Sequence, residues 1–202
     1  MRIIGITGPS GAGKSYLSEF LRKRNIPVVD ADETYHSLLV PPSACLDAIR
    51  TAFGDPVIAP DGSLDRPALS AVVFGNEEKL ALLNRTVLGF VIDKIKNILG
   101  EYEGEGYGVA CVDAPTLIES GFYAECDTVI SVISEKKIRV SRIIERDGIS
   151  KEAAQARVDA QREDSFYIER SDLVVNNNGD ISDLDKECER IYNILCGGEK
   201  SE

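Results

Sequence analysis

The stretch GITGPSGAGKS at residues 5–15 constrains the fold of this chain more than any other segment. Gly8 is followed by four residues and then by Gly13, Lys14 and Ser15, which is the spacing of a phosphate-binding loop. Ahead of it, Ile3, Ile4 and Ile6 form a short apolar run suited to a buried strand. Behind it, KSYLSEFLRKR carries Tyr16, Leu17, Phe20 and Leu21 at helical spacing. In that order, strand, loop and helix turn backbone N–H groups and a helix N-terminus toward one anion. Gly8, Gly11 and Gly13, with Ser10 and Ala12 between them, allow the tight turn. Lys14 can reach the β- and γ-phosphates of a nucleotide, and the Ser15 hydroxyl can ligate Mg²⁺. A dinucleotide fingerprint fits less well, because Tyr16 stands where its third glycine belongs.

Charge narrows the ligand classes. The 202 residues carry 23 Lys and Arg against 34 Asp and Glu, a net charge of -11. Such a surface repels nucleic acid, so an anion must be held by a local pocket against the overall field. The five cysteines (45, 111, 126, 188 and 196) are scattered and odd in number, and read as reduced core thiols of a cytoplasmic protein. No stretch reaches the length of a membrane span, and the N-terminus is predicted to be already a strand, which leaves no room for a signal peptide.

Apolar strand candidates recur at 2–6, 26–30, 107–113, 127–133 and 172–177. Several are continuous rather than alternating, as in a parallel sheet covered on both faces. Helical patterns between them predict an α/β fold of the P-loop NTPase type, a five-stranded parallel sheet flanked by helices. Residues 32–100 break the rhythm with about four helices, no clear strand and a turn at APDGS, and the segment 32–106 is set apart on that ground. They are predicted to form a helical acceptor-binding insertion, with residues 1–31 and 107–202 forming the nucleotide-binding core. EYEGEGYG at 101–108 reads as a loop returning to the sheet, and the GGEKSE tail as frayed.

Strand ends supply the candidate chemistry, since ligands of open α/β sheets sit beyond the carboxyl ends of the strands. VVDADE brings Asp30 and Asp32 there. One carboxylate can accept a proton from an attacking hydroxyl, while the other role open to an Asp after a strand is to cap the next helix. VDAPTLIE puts Asp113 at the end of the third strand, where it can hold Mg²⁺ through water or bind an acceptor; Glu119 is as readily a surface group. Residues 135–163 are a charged helix–turn–helix in which Arg139, Arg142 and Arg146 share one face. This is either a solvated surface or a lid whose arginines stabilise a phosphoryl group in flight. His36, the only histidine, reads as a packed or surface residue.

Together these motifs resemble the dephospho-coenzyme A kinase family. The resemblance rests on GPSGAGKS at 8–15, DAD at 30–32, FG at 53–54 and DGSLDRPALSAVVF at 61–74. It continues through DAPTLIE at 113–119, RIIERD at 142–147, RVDAQ at 157–161 and SDLVVNNNG at 171–179. It implies ATP- and Mg²⁺-dependent phosphorylation of the 3′-hydroxyl of dephospho-coenzyme A, a small-molecule acceptor. It further implies Asp32 as base, Lys14 and Ser15 as phosphate and Mg²⁺ groups, and Arg142 and Arg146 as lid arginines. Arg66 falls on the acceptor side, and Asn176 and Gly179 near the adenine. The chain departs from the family pattern at Tyr16, where Thr is usual, at Leu88-Gly89, where many members have His-Pro, and at Asp113-Ala-Pro-Thr-Leu, which replaces a more apolar version. A kinase for another small metabolite and a P-loop nucleotide switch share the loop; the first lacks support from the LDR segment. The second lacks the Asn-Lys-x-Asp and Asp-x-x-Gly motifs of guanine-nucleotide switches.

Overall fold

The strand β1 (Arg2–Thr7) lies at the centre of the sheet, and Ile4 to Thr7 are buried in succession. That continuous burial is what a strand covered on both faces requires. The computed structural model describes residues 1–197; the tail from 198 onward lies outside the described residues. In chain order the elements are β1, α1 (Lys14–Arg22), β2 (Val28–Asp30), α2 (Ala31–Ser37), α3 (Ala44–Phe53), α4 (Arg66–Val73) and α5 (Glu77–Gly104). There follow β3 (Val109–Asp113), β4 (Thr128–Ile133), α6 (Lys136–Asp147), α7 (Lys151–Asp159), α8 (Asp164–Ile168), β5 (Leu173–Asn176) and α9 (Ile181–Cys196). The five strands are parallel, in the order β2-β3-β1-β4-β5.

The chain forms two compact units, one of residues 1–29 with 102 onward and one of residues 30–101. In the first, Ile4, Ile6, Cys111, Ile130, Val132 and Val175 of the sheet pack with Leu17 and Leu21 of α1 and with Leu184, Cys188, Ile191 and Leu195 of α9. The α9 positions recur every three or four residues, so one stripe of that helix is apolar and buried. Cys196 is the next residue round the helix and is exposed, and Cys126 is half-buried; the expectation of five core thiols holds only for Cys45, Cys111 and Cys188. Register sets Ile6 beside both Asp113 and Ile130, so β1 and β3 end within a residue of each other where β1 runs into the phosphate loop, and β4 runs on past them to Ile133.

The second unit has its own core, in which Leu39, Cys45, Ile49, Val57 and Leu69 pack with Leu83, Val87 and Phe90. Its helices start at side-chain caps. Asp30, Ser43 and Asp65 accept from backbone N–H groups of α2, α3 and α4, and Asn76 accepts from that of Lys79 in α5. The APDGS turn closes with Ser63 donating to Asp61, beside one isolated bridge between Ile58 and Leu64. The expected loop at 101–108 is in part helix, because α5 runs on to Gly104. Its last turn is anchored: Glu103 accepts from the N-terminal ammonium at 2.8 Å, and Tyr102 meets Tyr107 edge to face.

Candidate active site

Three successive carbonyls of the phosphate loop are held from behind by side chains of other elements. Arg139 Nε donates to the Ser10 carbonyl at 3.1 Å, and Arg142 Nη1 to that of Gly11 at 3.4 Å. Asn177 Nδ2 donates to the carbonyl of Ala12 at 2.8 Å. Pinning the Ser10 and Ala12 carbonyls orients the opposite ends of those peptides, the Gly11 and Gly13 N–H groups, away from these side chains, which is the polarity a phosphate cradle needs, while the Ala12 N–H closes the turn onto the Pro9 carbonyl at 3.2 Å. Lys14 Nζ donates across the loop to the Gly8 carbonyl at 3.0 Å. The helix N-terminus of α1 begins at Lys14, with Gly13 in the left-handed region as its cap.

Close approach explains the glycines at the inner turn. A Cβ on Gly11 would lie 2.8 Å from the Arg139 carbonyl oxygen, and one on Gly13 would lie 2.3 Å from Asn177 Nδ2. Both residues also have positive φ, 78° and 106°, so a side chain there meets backbone strain as well as a clash.

The α6 arginines, which the sequence sets on one face, have three different fates. Arg139 is fully buried and also donates to Gln161 Oε1 at 2.5 Å, with Asp164 at 3.5 Å. Arg142 is half-buried; besides Gly11 it donates to Ser134 Oγ and to both the carbonyl and the side-chain oxygen of Asn177. Arg146 is exposed and forms a two-pronged pair with Asp147, at 2.7 and 3.0 Å. The cause is distance along the axis, since seven residues of helix span about 10 Å, so α6 meets the loop only with its first turns. Burial pushes the guanidinium pKa of Arg139 and of Arg142 below its ordinary value, with Asp164 opposing the shift at Arg139. α6 turns at Gly148 into α7, and Val140 and Ile143 pack on Ala154 and Val158.

Asp113 is buried at the end of β3 and accepts from Ser18 Oγ of α1 at 2.6 Å, so one carboxylate oxygen faces the helix that carries the loop. Ser15 is exposed in the first turn of α1, and Tyr16, half-buried, donates its hydroxyl to Asp185 of α9 at 2.6 Å. That bond raises the Tyr16 pKa above its ordinary value and gives the departure from Thr a partner of its own. Glu119 is exposed.

In the second unit, the structure gives the capping role to Asp30. Asp30 Oδ1 accepts from the backbone N–H groups of Asp32 and Glu33 and so caps α2. Asp32 is exposed in the first turn, and its carboxylate takes no part in the cap. Arg66, at the first position of α4, is exposed and has no carboxylate partner within 4.0 Å among the described residues; its side chain meets His36 Nδ1 at 3.4 Å. Asp65 beside it is occupied as the α4 cap, accepting from Ala68 N–H.

At the end of β5, Asn176 and Gly179 are exposed, while the buried member of the asparagine run is Asn177, which touches the loop. Asn177 and Gln161 carry contacts that the sequence reading did not assign. Alternation along β5 was the available signal for Asn177, since Val175 faces the core and position 177 lies on the same side. Among the described residues no group of three or more His, Cys, Asp or Glu side chains could hold a metal ion, and no helix is long and apolar enough to cross a membrane.

Comparison with known proteins agrees with the loop and extends along the chain. The family model described as dephospho-CoA kinase matches residues 2–183. A dephospho-CoA kinase of Symbiobacterium thermophilum is 36% identical over 202 residues, covering all of this chain and 84% of the relative. The structure of dephospho-CoA kinase from Campylobacter jejuni superposes with a TM-score of 0.74 at 26% identity, covering 98% of this chain and 99% of that one. A crystal structure from Thermus thermophilus gives a TM-score of 0.78 at 28% identity, over 97% and 98% of the two chains.

Proposed function

This chain belongs to the dephospho-CoA kinase family, and we propose that it transfers the γ-phosphoryl group of ATP to the 3′-hydroxyl of dephospho-coenzyme A, giving coenzyme A and ADP. The observation that carries the proposal is the match along nearly the whole chain, which includes the helical unit as well as the widely shared loop. The loop at Gly8–Ser15 holds the triphosphate by its N–H groups, and the Lys14 ammonium neutralises the β- and γ-oxygens. Ser15, Tyr16 and the α1 N-terminus complete the nucleotide side, and Asn176 and Gly179 border the adenine.

The residues fit a Mg²⁺ ion of the kind that accompanies nucleotides. Ser15, whose hydroxyl is a hard oxygen ligand, is exposed in the first turn of α1, beside the loop. Ser15 would hold such an ion, which would supply charge neutralisation at the phosphates.

Asp32 accepts the proton of the attacking hydroxyl; an exposed carboxylate outside the α2 cap supports that role. Arg66 binds the acceptor's pyrophosphate, supported by the lack of a carboxylate partner, and Asp113 borders the acceptor. Arg146 stabilises the phosphoryl group in transfer once it leaves Asp147. Arg142 contributes by holding the Gly11 carbonyl.

The test is a coupled ADP-release assay with dephospho-coenzyme A, AMP, shikimate and water as acceptors. Stoichiometric ADP release with dephospho-coenzyme A alone is the expected result. Preference for another acceptor overturns the substrate, and partner-dependent hydrolysis without transfer favours a nucleotide switch.

A further inference from the structure

Ser10, at the tip of the phosphate loop, has both polar groups of its backbone held by one pair of side chains. Its N–H donates to Gln161 Oε1 at 3.1 Å, and its carbonyl accepts from Arg139 Nε at 3.1 Å. Gln161 Oε1 also accepts from Arg139 Nη2 at 2.5 Å, which closes the three groups into a ring of hydrogen bonds. Gln161 comes from the link between α7 and α8, so a segment about 150 residues away in sequence fixes the loop tip.

We infer that Gln161 is a positioning residue for nucleotide binding, which, with Arg139, holds the Ser10–Gly11 tip of the phosphate loop in its anion-receiving shape. The physical reason lies in the burial of Arg139. A fully buried guanidinium must find acceptors for its N–H groups, and here they are the Ser10 carbonyl, Gln161 Oε1 and, at longer range, Asp164. Without the Gln161 oxygen, Arg139 loses its shortest hydrogen bond and the Ser10 N–H loses its acceptor. The ring then opens at two points, and the tip samples shapes in which its N–H groups no longer converge. A loop that is competent for only a fraction of the time binds phosphate with an affinity reduced by that fraction.

The inference rests on reading the loop as a nucleotide site, and its test uses ADP alone, so that failure of the acceptor assignment leaves the test intact. Gln161 is half-buried in a link, and substitution there spares the core. Gln161→Met keeps the length and removes the strong acceptor. Titration calorimetry with Mg-ADP should show binding weakened about tenfold, and hydrogen exchange at the Ser10 amide should quicken. Gln161→Glu keeps an oxygen at the same position, and Ser10 exchange should stay slow. Gln161→Asn withdraws the oxygen by one methylene and should weaken ADP binding as Met does. A Gln161→Met protein that binds ADP as the wild type does, even with a lowered melting temperature, overturns the inference and leaves Gln161 as ordinary packing. Fast Ser10 exchange in Gln161→Glu overturns it equally.

Discussion

Asn177 and Ala12 are joined by a hydrogen bond of 2.8 Å across 165 residues of sequence, and the same asparagine accepts from Arg142 at 3.1 Å. The phosphate loop is thus fastened to the end of β5 and to α6. Asn177→Ala strips the Ala12 carbonyl and part of the Arg142 fork of their partners. Each buried group left unsatisfied costs about 1–3 kcal/mol, so the melting temperature should fall by several degrees and ADP affinity with it. Unchanged affinity in the folded variant would separate Asn177 from the loop.

Lys14→Ala should abolish phosphoryl transfer in a protein that still folds. The ammonium supplies the main point charge on the β- and γ-phosphates and is not core packing. Circular dichroism with single-turnover kinetics checks both halves, and near-normal turnover would remove Lys14 from the mechanism.

Asp32→Asn should lower kcat by roughly 10²–10⁴ while leaving ATP binding and melting temperature almost unaltered. The cap is made by Asp30, so Asp30→Ala should show the opposite pattern at the level of stability, with a loss of about 1 kcal/mol. If Asp32→Asn proves destabilising with kcat intact, the division of roles between the two carboxylates is wrong.

Arg142 and Arg146 should separate in kinetics. Arg142→Ala removes a hydrogen bond to the loop carbonyl of Gly11 and should weaken ADP binding as well as kcat. Arg146→Ala touches only Asp147 and should lower kcat with ADP binding preserved. Equal ADP dissociation constants for the two variants would refute the distinction.

Arg66→Ala should raise the KM for dephospho-coenzyme A and spare the KM for ATP. Because no carboxylate pairs with Arg66 among the described residues, the substitution should cost little stability. An unchanged acceptor KM would remove Arg66 from the acceptor side.

Thiol chemistry should report the fold. Burial pushes Cys126 and Cys188 up to about 12 and Cys111 well above its ordinary value. A thiol with a pKa near 12 is about 10⁻⁴ ionised at pH 8, and Cys45 is buried with its pKa raised as well, so alkylation of the native protein should stop at the exposed Cys196. Mass spectrometry after iodoacetamide treatment should find one adduct until denaturant is added.

The sequence alone determined the glycine-rich turn and the βαβ rhythm of the five-stranded sheet, because these are local: glycine spacing, strand-length apolar runs and helical periodicity act over a few residues. It also left Asp30 and Asp32 with two possible roles each, since capping and proton transfer ask for the same side chain at nearly the same place. Only the folded backbone decides which carboxylate reaches the α2 N–H groups. In the same way the sequence put Arg139, Arg142 and Arg146 on one face without telling how far along α6 the loop crosses it. It could not tell Asn176 from Asn177, where one residue of register turns a side chain from the core to solvent. The partners Gln161, Asn177 and Arg139 lie more than 120 residues from the loop atoms they hold, and no local pattern encodes such a pairing. Tertiary structure decided it, through the need of buried polar groups to be satisfied by whatever the packing of sheet and helices brings within reach.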